Sequence, residues 1–273
     1  MKIAIDTLKS WSEIHKYDIR GRIYRGHSDK SWEIKTSIER FFERESITPN
    51  KRIHMEGELL REFKRAYHQY ATHIPKHDSE IEWLSLMQHH GAPTRLTDFS
   101  YSIYVAAYFA LETATKDCAV WMVDGPWALN ESIRNLEKAG VCKARELNAP
   151  SSNESEPMAF RNLFADSTAR CAPVWTPFRL NERLRIQKGT FAIASDLKFT
   201  FMQNLKALNG YEKKTNLLKL IIPLKMRRKA LEHLYYMGIT RTTLFPGLDG
   251  YAQSLGVYHN MLNPAKWNTK KPT

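Results

Sequence analysis

The sequence predicts an α+β fold: a single domain with a central mixed sheet flanked by helices. Three observations carry this. Strand-like apolar runs and helix-period segments are both present along 273 residues. They do not alternate regularly, as a parallel βαβ arrangement requires. No repeat or heptad pattern intervenes. Hydrophobic residues make up 42% of the chain and charged residues 26%, the balance of a globular protein.

Ile23-Tyr24-Arg25 reads as a strand ending at Gly26. From Arg52 to Tyr70, Leu59, Leu60, Phe63, Ala66, Tyr67 and Tyr70 recur at the spacing of an amphipathic helix, closed by Pro75 and the polar run to Ser79. Glu82 to His90 forms a second helix, with Trp83, Leu86 and Met87 on one face. Ser102 to Ala114 is too long and too rich in Ala for a strand, so it reads as a buried helix. Ala119–Val123, Thr190–Ala194 and Leu217–Pro223 read as strands. Lys225 to Tyr236 reads as a helix stopped at Gly238. Residues 148–157, rich in Pro, Ser and Asn, form a surface loop inside the one domain. The expected division is a domain over 1–255 and a basic, frayed tail over 256–273.

No run approaches the ~20 apolar residues of a membrane helix. Met1 to Asp6 is charged too early for a signal peptide, so a cytoplasmic protein is expected. The cysteines are Cys118, Cys142 and Cys171, without C-x-x-C spacing, which argues against a disulfide framework or structural zinc. The net charge is +12. From Lys219 onward nine Lys/Arg face two acids, Glu232 and Asp249. Such asymmetry fits a polyanionic partner and equally fits a solvated basic face.

The densest polar stretch is Gln88-His89-His90-Gly91-Ala92-Pro93-Thr94-Arg95-Leu96-Thr97-Asp98-Phe99, set directly before an apolar run. It is either a rigid polar turn or the wall of a site. Arg95 and Asp98 have the types to pair, and Asp98 or Ser100 to cap the next helix. Neighbouring His89 and His90 point apart, and Pro75 interrupts His73 and His77, so no bound metal is expected. Arg25, beside Gly26, offers a planar fork of donors for phosphate or carboxylate; a surface Arg before a turn has the same look.

Taken together, four segments resemble the bacterial FRG domain family, named for its (F/Y)-R-G motif. These are Tyr24-Arg25-Gly26-His27-Ser28-Asp29 with Trp32, Ser37 and Arg40; the Gln88–Phe99 stretch running into Ala106–Ala110; Asn181, Arg183, Gln187 and Gly189-Thr190-Phe191; and Leu244-Phe245-Pro246-Gly247-Leu248-Asp249-Gly250. The order of elements is also similar to ADP-ribosyltransferases, which implies a split sheet. Gly247 stands where the family carries an Asp, and no Glu lies beside Gln187-Lys188-Gly189, where a transferase has its acid.

The resemblance implies transfer of ADP-ribose from NAD, as co-substrate, to a nucleic-acid acceptor, RNA favoured, by a toxin or phage-defence effector with a possible antitoxin. Arg25, Asp98 and Asp249 become the catalytic candidates. Tyr24, Arg25, Gly26, His27, Thr94, Arg95, Ser100 and Gln187 become the NAD-binding ones, and Thr94 to Asp98 the ligand-facing part. Lys225, Arg227, Arg228 and Lys229 become the nucleic-acid contacts. Two alternatives stay open: a non-catalytic nucleotide- or nucleic-acid-binding module, and a metal-independent nuclease using His89, His90 and Asp98.

Overall fold

The computed structural model describes residues 2–71, 75, 79–141, 169–177 and 181–262. The expected loop at 148–157, the pair His73 and His77, Cys142 and the tail from 263 lie outside the described residues.

Seven strands form one mixed sheet: β1 Ala4–Thr7, β2 Arg22–His27, β3 Leu96–Ser100, β4 Cys118–Asp124, β5 Val174–Trp175, β6 Gly189–Ile193 and β7 Leu217–Ile222. Their spatial order is β1-β7-β4-β2-β3-β6-β5, with only β1 and β7 parallel. Ladders of five to six residue pairs join β2 to β4, β4 to β7 and β3 to β6. Between β2 and β3 there is a single pair, Tyr24 with Ser100. The sheet is thus split at its centre.

Helices cover both faces, as strand alternation dictates. Ile23, Trp121, Val123 and Leu217 point into one core. It is completed by α1 (Ser37–Arg44), α2 (Arg52–Tyr67), α3 (Glu80–His89) and α5 (Gly125–Lys138). Tyr24, Val120, Met122, Leu218 and Leu220 point into the other, against α4 (Ile103–Leu111). After the short helices α6 (Glu182–Ile186) and α7 (Phe201–Leu205), α8 (Arg227–Tyr236) adds Ala230, Leu231 and Leu234 to that second core. Two further helices, α9 (Arg241–Leu244) and α10 (Leu248–Leu262), end the described chain. Helix α10 spans residue 255, the expected end of the domain. Among the described residues no helix is long and apolar enough to cross a membrane.

Two features position the site. Helix α4 lies flat on β2: a Cβ at Gly26 would sit 2.0 Å from the Ala106 carbonyl oxygen and 2.6 Å from the Ala110 nitrogen. The glycine of the Y-R-G motif is thus required by helix packing. Segment 96–100 is a strand, not the expected cap: Ser102 caps α4, its Oγ accepting from the Val105 N–H at 3.4 Å.

Candidate functional site

The split between β2 and β3 opens a cleft of about 230 Å³. Arg25 and Gly26 of β2, Asp98 and Ser100 of β3, Phe109 of α4, and Arg183 and Gln187 around α6 line it. That is slightly below the ~300–1,000 Å³ of ordinary small-molecule pockets. A second cavity of about 30 Å³, on the order of one water, shares Asp98, Arg183 and Gln187 and adds His89.

Arg25 bridges the split. Its Nη1 donates to the backbone carbonyl of Asp98 at 2.6 Å, taking the place of a missing ladder bond. Its Nε donates to His27 Nε2 at 3.3 Å. Burial pulls the guanidinium below its ordinary pKa, the nearby Asp98 carboxylate opposing and Arg40 adding to the shift. His27 is buried, and that burial, with Arg25 beside it, drops its pKa to about 3. It is therefore a neutral acceptor that fixes the Arg25 rotamer from behind.

The Asp98 carboxylate is 46% exposed and lies 4.0 Å from Arg25 Nη1. Gln88 Nε2 donates to its Oδ2 at 2.8 Å. The orientation of that amide is forced: Thr94 Oγ1 at 2.6 Å and Ser37 Oγ at 3.1 Å both donate to Gln88 Oε1, so its nitrogen must face Asp98. Gln88 was not singled out as a site residue, although it opens the polar stretch. Its partners are Ser37 of α1, Thr94 just before β3 and Asp98 of β3, and no sequence spacing brings Ser37 to the other two.

Ser100 and Gln187 line the cleft as expected, but both are held structurally. Ser100 Oγ donates to the Gln187 carbonyl at 2.7 Å, and Gln187 Nε2 donates to the Leu244 carbonyl at 3.0 Å. Tyr24 borders the cleft with its ring in the core; its hydroxyl donates to the Tyr17 carbonyl and accepts from the Ile19 N–H.

Several expected placements are corrected. Arg95 does not pair with Asp98 and does not line the cleft. It is buried, and its guanidinium grips Glu56 of α2, with Nε 2.9 and 2.8 Å from the two carboxylate oxygens and Nη2 on the same group. Its Nη1 donates to the Ser195 carbonyl. Thr94 is fully buried and acts on Gln88 rather than on a ligand. Asp249 is exposed in the first turn of α10 and is not among the cleft residues. Gly247, where the resemblance wants an acid, has φ +107°, a backbone state that side chains other than glycine's disfavour. Among the four basic candidates, Arg227 is spent on the end of α4: Nε and Nη2 donate to the carbonyls of Leu111 and Glu112 at 2.7 and 2.6 Å. Lys225, Arg228 and Lys229 are exposed, and none of the four lines the cleft.

His89 and His90 pack edge to face, ring centroids 4.9 Å apart. Burial, with His90 and Arg183 nearby, lowers the pKa of His89. No group of three or more His, Cys, Asp or Glu side chains is placed to hold a metal among the described residues. Arg183, quoted only as part of a motif, is the second cation of the cleft; its guanidinium stacks on Phe245 at 4.6 Å.

The fold and cleft define an α+β domain that sets an arginine and a carboxylate across a split sheet. Residues 20–118 match the family model of the FRG domain. The match takes in the Y-R-G strand, the Gln88–Phe99 stretch and α4; the third and fourth motifs lie beyond it. No curated protein and no solved structure matches the chain.

Proposed function

We propose that the protein transfers ADP-ribose from NAD to a nucleic-acid acceptor, RNA favoured, as a cytoplasmic toxin or phage-defence effector whose activity a cognate antitoxin restrains. The observation that carries this reading is the Arg25–Asp98 pair across the sheet split. Arg25 and Arg183 supply two guanidinium groups for the diphosphate of the substrate. The nicotinamide ribose enters the cleft and the remainder of the dinucleotide lies over its rim, in keeping with the cleft volume of about 230 Å³.

Asp98 accepts a hydrogen bond from a ribose hydroxyl and faces the positive charge that develops as the glycosidic carbon–nitrogen bond breaks. Nicotinamide leaves with the bonding electron pair. An oxygen or nitrogen of the acceptor bonds to the exposed carbon and gives its proton to solvent. Gln88 keeps the carboxylate aimed and His27 keeps the arginine aimed. Asp98 takes the role of the missing acid, since Asp249 stands outside the cleft.

A second reading is a non-catalytic nucleotide-binding module. It is favoured by Gln187, which stands near the place of the expected acid and has its amide tied to a backbone carbonyl. One assay separates the two. NAD labelled in its adenylate half is incubated with the protein and RNA or DNA. Label on the nucleic acid with release of nicotinamide is the expected result, reduced at least about 100-fold in Arg25→Gln and Asp98→Asn. Binding of NAD without label or nicotinamide release would leave the module reading.

A further inference from the structure

The basic segment at 225–229 is not the only cationic surface, and one beside the cleft is better placed. Helix α6 and the turn after it read Glu182-Arg183-Leu184-Arg185-Ile186-Gln187-Lys188. Arg183 and Gln187 line the cleft, while Arg185 and Lys188 are exposed at its edge. Lys188 holds φ +49°, an uncommon state for a residue with a side chain. Its carbonyl accepts from the Tyr101 N–H at 2.8 Å, and its own N–H bonds the Arg185 carbonyl at 3.2 Å. The first bond holds Tyr101, which directly follows Ser100 of the cleft wall, against the Lys188 backbone, and the second closes the turn from Arg185 to Lys188. The Tyr101 ring is 47% exposed, and its hydroxyl shares a hydrogen bond with Thr176 Oγ1 at 3.2 Å. An exposed aromatic residue and two exposed cations thus lie on adjoining segments beside the cleft, where the acids are Glu182 of α6 and Asp98 of the cleft wall.

We propose that this rim is the docking surface for single-stranded nucleic acid, with an unpaired base stacked on Tyr101 and the flanking phosphates on Arg185 and Lys188. Charge complementarity selects a polyanion, and the exposed ring selects one whose bases are unpaired, since a base inside a duplex offers no free face. The rim continues into the cleft through Gln187 and Ser100, so a strand held there presents a nucleotide to Asp98. Arg227, in contrast, is committed to the end of α4, which reduces the 225–229 segment to three exposed cations. In assigning an acceptor surface, this inference rests on the transferase reading; as a statement about binding it stands apart from it.

The test is fluorescence anisotropy with a labelled 12-nucleotide single-stranded RNA and its duplex form, across a salt series and without NAD. The double variant Arg185→Gln/Lys188→Asn keeps a helix former at 185 and a residue tolerant of positive φ at 188. It is expected to weaken single-strand binding about tenfold and to flatten the salt slope by about 1.4, at ~0.7 per phosphate contact. Tyr101→Ala is expected to cost roughly tenfold with the slope unchanged, the signature of a lost stack. Lys225→Gln/Lys229→Gln, on the distant segment, is the control and is expected to change the slope less than the rim variant. Equal binding by the rim variants and wild type, a larger loss in the control, tighter duplex binding, or no binding by wild type overturns the proposal. Rim-dependent binding by a wild-type protein that transfers no label from NAD would instead sink the transferase reading and leave the docking surface standing.

Discussion

Arg25 and Arg95 lie in the two motifs that anchor the FRG match, yet they do opposite things. Arg95 is sealed in the core and neutralised by Glu56. Arg25 is 22% exposed on a cleft wall, gives one bond to the Asp98 backbone carbonyl, and stands 4.0 Å from the Asp98 carboxylate. One arginine ties α2 to the sheet. The other keeps donors for a ligand. The difference lies in what surrounds each side chain, which neither residue type nor motif membership reveals.

That contrast can be broken most forcefully at the buried pair. Glu56→Ala leaves the buried Arg95 charge without its carboxylate, so unfolding free energy in a urea titration should fall by about 3–5 kcal/mol. Replacing both partners, Glu56→Leu with Arg95→Met, should recover most of that loss, because no lone charge is left inside. A loss below about 1 kcal/mol for Glu56→Ala would remove Arg95 from the structural side.

The acid response of His27 sharpens the other arm. Its pKa is about 3 in the folded chain against 6.5 in the unfolded one, so the unfolded state binds the extra proton between these values. The stabilisation is complete above about pH 6.5 and is lost as pH falls toward 3, with a slope of up to ~1.4 kcal/mol per pH unit from this one proton. Stability measured across that window in His27→Gln should be flatter by about that slope. An unchanged profile would mean that His27 is not held neutral behind Arg25.

Arg25→Gln should lower stability by only about 1–2 kcal/mol, the value of a charged hydrogen bond at a partly open site, while on the proposed transferase reading label transfer collapses. If stability fell as far as in Glu56→Ala, the two arginines would be alike after all. The smallest effect is expected at Thr94→Val. Its lost hydroxyl costs about 1 kcal/mol, yet the freed Gln88 amide turns from Asp98, so kcat should fall several-fold with KM for NAD held. Restoration of wild-type kcat would show that Gln88 is positioned without Thr94.

Periodic elements were legible. Helices α2, α3 and α4 and strands β2, β4, β6 and β7 lie within a few residues of where their apolar spacing puts them. Strand β3 was not, because Thr97 and Asp98 gave it the look of a turn, and its strand character comes from five pairs with β6, the partners Leu96 with Ile193 through Ser100 with Gly189 being far apart in the chain. Helix α5 carries a readable start, with Asp124 capping the Trp127 N–H at 2.7 Å and Pro126 in the first turn. At the site, Arg25 and Asp98, read from residue type and motif, both line the cleft. The expected pairing of Arg95 with Asp98 does not form, since Glu56 is thirty-nine positions upstream and only the fold brings it close. Arg183 enters the cleft through the placement of α6 beside β6, which no local spacing announces.

The single pairing of Tyr24 with Ser100 makes the middle of the sheet a seam fastened by one stitch, and Arg25 supplies the side-chain thread. On the proposed reading, a substrate that draws the guanidinium toward its phosphates pulls on the thread holding the margin of β3. Occupancy of the cleft and tightness of the seam are then one variable, and amide exchange along β3 reads the first by measuring the second.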